Sequence, residues 1–200
     1  MPFERTPDQA LRRLTTRKTK INMNSITSDH SPLPADDLMR PSVVARPNTD
    51  ASLRHVSVMG DIYTILLDGA QTENHYTIID MHVPQHGGPP PHRHDYEETF
   101  IVLEGEIEAT FRGETSAIKA GEMLHVPANA PHRFTNVLSK PARLLCLCSP
   151  AGLEEFFLSI GDVVPNRTSP PPTSEDAGRA AQMAKALSLV SKFRTEILKP

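Results

Sequence analysis

Two hundred residues with 38% apolar side chains fit one globular domain with irregular segments attached, not a two-domain enzyme. Nineteen prolines and no tryptophan exclude an architecture of long uninterrupted helices. No apolar run approaches the roughly 20 residues that cross a bilayer, and no secretory apolar stretch follows Met1, so the chain is expected in the cytoplasm with no membrane partner. Charge is uneven: residues 1–22 hold six Lys/Arg against two acids and the rest hold fifteen against twenty-two, −3 in all. A mildly acidic folded part offers no electrostatic footprint for nucleic acid.

In chain order, residues 1–50 show no sustained apolar period and contain Pro32, Pro34, Pro41 and Pro47. They are expected to form a flexible, disordered arm, dispensable for the fold up to about residue 45. Its basic stretch within 12–20 resembles a transit peptide in Arg content, but Glu4 and Asp8 argue against one. Residues 53–149 change texture to short β-rich runs at 53–58, 62–67, 76–83, 98–103, 107–111, 116–119, 123–126, 133–137 and 144–148. Turn pairs such as Asp68-Gly69, Gly87-Gly88, Glu104-Gly105 and Arg112-Gly113 separate them, at the close spacing of a sandwich or barrel. An all-β barrel is therefore expected over 51–165, closing with a short helix at 153–160. Pro170-Pro171-Pro172 marks a stiff linker over 166–173, and a final helix over 174–200 starts at Ser174. Its stripe of Met183, Ala184, Leu187, Val190, Phe193 and Ile197 predicts docking on the barrel or on a second subunit.

The chemistry concentrates in His92, His94 and His132 with Glu98. His92 and His94 flank Arg93, so on an extended segment both imidazoles face one side about 6–7 Å apart and can share one ion. Glu98 has the same parity but would lie roughly 13 Å further along a straight strand. The chain must therefore bend near Asp95-Tyr96, after which Glu98 opens a new strand and points inward. Glu97 is the rival carboxylate, and strand parity favours Glu98. Imidazoles with one carboxylate suit a divalent transition metal, Fe, Mn, Ni, Cu or Zn, and not Ca. The competing reading is surface turn histidines beside a satisfied carboxylate. Cys146 and Cys148 sit at i, i+2 in an apolar run and read as small buried hydrophobes in a reducing compartment; a thiolate pair is the alternative.

At these residues the sequence resembles the cupin superfamily. His92-Arg93-His94, three residues, Glu98, six residues and Gly105 fit its first motif; Gly121, five residues, Pro127, then His132 and Asn136 fit its second. His86 and Asn129 stand where the motifs carry glycine. Asn is the non-glycine residue that best tolerates a left-handed turn, so Asn129 keeps that turn plausible. The resemblance covers about residues 53–149 and implies a single jelly-roll (double-stranded β-helix) barrel holding one divalent metal on His92, His94, Glu98 and His132.

By strand parity Phe100, Val102, Phe134 and Asn136 share the ligands' face and are expected to line a substrate pocket. His82, His86 and His125 lie near the motifs, and each is more often an inert hydrogen-bonded histidine. Four protein ligands leave up to two positions open on a six-coordinate ion. The wording of the first motif is similar to small single-domain cupins related to quercetin dioxygenase. That resemblance implies an oxygenase acting on a small hydroxylated organic substrate, with Glu98 also as catalytic base. A metal-dependent isomerase or lyase, or a binding module without turnover, are the alternatives, and family habit implies a homodimer.

Overall fold

The computed structural model describes residues 32–170, 172 and 176–199. The basic stretch within residues 1–22 and the helix start at Ser174 lie outside the described residues. Two compact units divide the chain, 1–39 and 40–200. In the first, residues 32–39 are exposed, and the Asp37 carboxylate accepts the Met39 N–H at 2.9 Å.

The second unit carries β1 (Arg54–Val58), β2 (Asp61–Leu67), β3 (Thr77–Val83), β4 (His92–His94), β5 (Glu97–Glu104), β6 (Glu106–Phe111) and β7 (Glu114–Lys119). There follow β8 (Met123–Val126), β9 (His132–Thr135), β10 (Ala142–Ser149), α1 (Leu153–Ile160), β11 (Asp162–Val163), α2 (Asp176–Leu189) and β12 (Thr195–Ile197). The strands form two sheets, ordered β11-β1-β2-β3-β10-β5-β8 and β12-β4-β9-β6-β7. This is the expected jelly roll, and each predicted strand appears within a few residues of its expected bounds.

Period-2 burial explains the barrel wall. Along β10, Ala142, Leu144, Cys146 and Cys148 are buried while Arg143, Leu145 and Leu147 are half-exposed. On the neighbouring β5 the buried set is Glu98, Phe100 and Val102. Register places Cys146 opposite Phe100 and Cys148 opposite Glu98. The alternation that buries Phe100 therefore carries Glu98 inside with it. Ile107 and Ala109 of β6, Val126 of β8 and Phe134 of β9 complete the core.

Three boundaries differ from expectation. The compact unit begins at Arg40, inside the predicted arm; Thr49 and Asp50 N–H groups bond the Arg46 carbonyl, and Asn48 accepts the Arg167 Nε–H at 2.9 Å. These are polar contacts, which a search for apolar periodicity does not detect. Arg167 is buried and Asn166 accepts hydrogen bonds from Thr168, so the start of the predicted linker is folded. The final helix stops at Leu189; Phe193 and Ile197 leave it, and β12 pairs antiparallel with β4, Thr195 opposite His94 and Ile197 opposite His92. A strand edge about a hundred residues away in sequence captures the segment, a non-local pairing that outweighs the local helical stripe.

Two helices cover one side of the barrel. In α1 the buried Glu154 carboxylate accepts the N–H groups of Gly69 and Gly152, both at 2.8 Å, and Phe157 stacks on Tyr63 with ring centroids 3.9 Å apart. Gln182 anchors α2: its carbonyl accepts the Met59 N–H at 2.8 Å and its amide donates to the Ser57 and Ile160 carbonyls.

Candidate metal centre and its cavity

The three-residue strand β4 directs His92 and His94 inward and Arg93 outward, where its Nε donates to Glu196 Oε2 at 2.6 Å. The chain bends at Asp95-Tyr96, as the spacing requires, and Glu98 follows as the second residue of β5. His132 opens β9 directly opposite His92. One ligand atom from each of His92, His94, Glu98 and His132 lies within 4.8 Å of all the others. His94, Glu98 and His132 are each no more than 4% exposed. Glu97 is exposed and pairs with His125 Nε2 at 3.2 Å, so the rival carboxylate faces away.

The chemistry of these donors suits a divalent ion. Each imidazole Nδ1 faces a main-chain carbonyl: His92 to Pro90 at 2.9 Å, His94 to Tyr96 at 2.9 Å, His132 to Ala130 at 3.0 Å. Carbonyls only accept, so Nδ1 carries the proton and a ring in its neutral, metal-binding form keeps its lone pair on Nε2. Those lone pairs meet a carboxylate oxygen, with Glu98 Oε2 at 3.0 Å from His94 Nε2 and 3.1 Å from His132 Nε2. Acceptors facing acceptors need a positive charge between them, and a divalent transition ion supplies it to all four groups at once. Burial, and next the neighbouring His132, pull His92 down to about 4, which keeps that ring neutral and available as a ligand. Burial alone would raise the Glu98 carboxyl; hydrogen bonds and positive charge from His94 and His132 when those rings are protonated outweigh it and lower Glu98 well below the usual range, and a cation bound in their place would act in the same direction. The four residues fit the metal.

Cys146 and Cys148 are both buried and free, as expected of small hydrophobes, but they also do something sequence reasoning missed. Their thiols lie 3.2 and 3.6 Å from Glu98 Oε1. Burial pushes Cys148 up to about 11, and the hydrogen bond to Cys148 together with burial raises Cys146 well above its usual value. Both therefore stay protonated: Cys148 donates to Oε1, and the single Cys146 proton is shared between Oε1 and the Cys148 sulfur, while Oε2 faces the histidines. The cross-strand neighbours of Glu98 and Phe100 on β10 were the available signal.

A cavity of about 360 Å³ opens against this centre. His92, Glu98, Phe100 and Phe134 line it, the two phenyl rings meeting edge to face at 5.1 Å, together with Tyr63, Phe156, Phe157 and side chains of α2 and β12. Val102 and Asn136 do not, which corrects the expected pocket. Val102 is wholly buried in the core outside the cavity lining. Asn136 is a loop clasp: its amide donates to the Val83 and Lys140 carbonyls at 2.9 Å, and its side-chain oxygen accepts the Leu138 N–H. Parity names a face; depth along the strand decides which residues on it reach the cavity.

Tyr96 is a larger contributor than its turn position indicated: it lines the cavity and stacks on His94 at 3.7 Å with rings 2° from parallel. His86 and Asn129 adopt the left-handed conformation, φ 65° and 67°, that the missing glycines would have supplied. Asn129 donates its N–H to the His94 carbonyl at 2.6 Å. His82 and His125 lie outside the cluster and the cavity lining.

Residues 79–148 match the family described as Cupin domain. The chain is 28% identical over 102 residues to quercetin 2,3-dioxygenase of Bacillus subtilis (strain 168), a stretch covering 50% of this chain and 30% of that protein. It is 40% identical over 60 residues to polyketide synthase CurC of Streptomyces cyaneus, covering 30% of this chain and 39% of that one. The chain thus spans less than half the length of these curated relatives. Among solved structures, an RmlC-like cupin from Shewanella frigidimarina superposes with a TM-score of 0.48 at 17% identity, covering 58% of this chain and 99% of that chain.

Proposed function

We propose that this chain, a member of the cupin superfamily, is a metal-dependent oxygenase acting on a small hydroxylated organic molecule. The observation that carries the reading is the cavity of about 360 Å³ whose wall includes His92 and Glu98 of the three-histidine, one-carboxylate cluster. The likeness to quercetin 2,3-dioxygenase supports the choice of reaction. A divalent ion on three neutral imidazoles and one carboxylate would supply a centre of net charge +1, acidifying a hydroxyl that approaches it and giving dioxygen an electron partner.

The chain's own residues do the rest. Glu98 is part of the cavity wall, and when it loosens from the ion it is the base that takes the substrate hydroxyl proton. Phe100, Phe134, Phe156 and Phe157 present apolar faces to a planar ring and keep bulk water out. The Nδ1–H bonds to carbonyls hold the three imidazoles in one tautomer and one orientation.

The test is anaerobic loading of the protein with Fe(II), Mn(II) or Ni(II), addition of phenolic and enediol substrates, then exposure to labelled dioxygen. Label in the product is expected. Glu98→Gln is expected to retain metal and lose turnover. Conversion without oxygen uptake or label would replace the oxygenase by an isomerase or lyase.

A further inference from the structure

Asp61 and Tyr63 are polar side chains in the wall of the cavity that the His/Glu cluster does not use. Two residues apart on β2, they share one strand face. In the sheet order β2-β3-β10-β5 they lie three strands from Glu98. Both are nearly inaccessible, at 3% and 4% exposure. The Tyr63 hydroxyl donates to Asp61 Oδ2 at 3.3 Å, and the Gly88 N–H donates to the same oxygen at 3.0 Å. Asp61 Oδ1 is buried with no hydrogen-bond partner, and any Cβ at position 87 would collide with it. Glycine at 87 is thus required by the way Asp61 is seated.

A buried polar group in an apolar wall is costly unless it is hydrogen-bonded, and Asp61 Oδ1 is not. With its proton committed to Asp61, the Tyr63 oxygen keeps its lone pairs and is an acceptor for a hydroxyl group. Apart from His92, Glu98, Tyr96 and Thr195 the remaining wall is apolar, including Met81, Phe134, Phe156, Met183 and Leu187. Among the described residues no Lys or Arg lines it, so away from the His/Glu cluster a carboxylate or phosphate on the ligand would meet no fixed positive side chain.

We propose that the cavity takes a largely aromatic compound, uncharged where it lies away from the His/Glu cluster, and that Tyr63, its hydroxyl oriented by Asp61, accepts a hydrogen bond from a hydroxyl group of that compound. The inference rests on the reading of this cavity as the substrate site and adds a contact point distinct from the His/Glu cluster. Tyr63 is the residue that touches the ligand; Asp61 positions it.

The experiment compares 2-naphthol with 2-methoxynaphthalene, which has the same rings but no hydroxyl proton, in the full chain with and without added Mn(II). Titration is expected to show 2-naphthol binding about fivefold tighter, the factor one net hydrogen bond supplies, in both preparations. Tyr63→Phe, which keeps the ring against Phe157, is expected to abolish that preference and leave 2-methoxynaphthalene binding unchanged. A second readout does not depend on any Tyr63 variant folding: with three tyrosines in the chain, the ¹³C resonance of the Tyr63 ring carbon bearing oxygen is expected to shift on saturation with 2-naphthol but not with the ether. An unshifted resonance, no preference in the native protein, or a preference retained by Tyr63→Phe overturns the proposal. So does a preference that appears only with Mn(II) or is lost in His92→Ala/His94→Ala, since the hydroxyl would then be read by the cluster and the oxygenase reading would stand alone. If instead the preference is found and no oxygenation is, the proposed reaction falls and Tyr63 remains the ligand contact.

Discussion

Asp61 shows how one residue can couple a cavity wall to the stability of the whole chain. Burial outweighs the hydrogen bonds from Gly88 and Tyr63 and pushes its carboxyl up to about 7 from 3.8. A group whose pKa is raised by folding contributes stability at low pH and loses it as pH rises, here between about 4 and 7. Asp61→Asn cannot titrate, so relative to the native protein it is expected to gain on the order of 4 kcal/mol across that window, read by denaturant titration at pH 4 and pH 7. Asn136 tests a different link. Its replacement by alanine leaves the Val83 and Lys140 carbonyls and the Leu138 N–H without their partner, for an expected cost of roughly 2–4 kcal/mol. Metal content should be unchanged, because Asn136 belongs to the loop clasp and not to the cavity; a fall in metal stoichiometry would return it to the site.

Among the elements, β4 and β12 matter most to the site. A strand of three residues carries two of the four candidate ligands, and its only register pair with β9 is His92 opposite His132. On its other edge β12 supplies three pairs, reinforced by Arg93 with Glu196 and by the ion pair of Arg194 with Asp95. Removing residues 190–200 therefore frees the histidine strand on one side. Metal affinity is expected to fall about 10- to 100-fold, the range typical when the supports of metal ligands are lost, measured by competition with a chelator of known affinity. Glu196→Ala removes an exposed ion pair and keeps the strand pairing, so it should change affinity less than twofold, in line with the small worth of surface pairs. Equal losses in both variants would mean that the ion pair, not the strand, holds β4.

For the whole molecule, metal binding and folding are linked. A ligand that binds the folded state alone stabilises it by about 2.7 kcal/mol at a hundredfold excess over its dissociation constant. Thermal unfolding of the full chain is accordingly expected at higher temperature with Mn(II), Fe(II) or Ni(II) than with chelator. His92→Ala/His94→Ala should erase the difference and should hold no stoichiometric metal. A full metal equivalent in that double variant would remove the four-residue assignment.

Much of this protein is legible in its sequence, because period-2 burial and the spacing of His92, His94, Glu98 and His132 are local or nearly local patterns. The bend at Asp95-Tyr96 and the choice of Glu98 over Glu97 follow from strand parity, and Asn129 follows from the conformations its side chain allows. What stayed hidden depends on contacts between distant segments. Thr195-Glu196-Ile197 continues a helical stripe in sequence and becomes a strand only because the edge of β4 is there to pair with it. Cys146 and Cys148 read as inert until register sets them opposite Phe100 and Glu98. Asp61 and Tyr63 are ordinary strand residues until α1, α2 and the Gly87-Gly88 turn enclose them in one cavity wall. Periodicity assigns a side chain to a face; only tertiary packing decides what that face meets, because the energy of a buried polar group depends on which partners other segments bring to it.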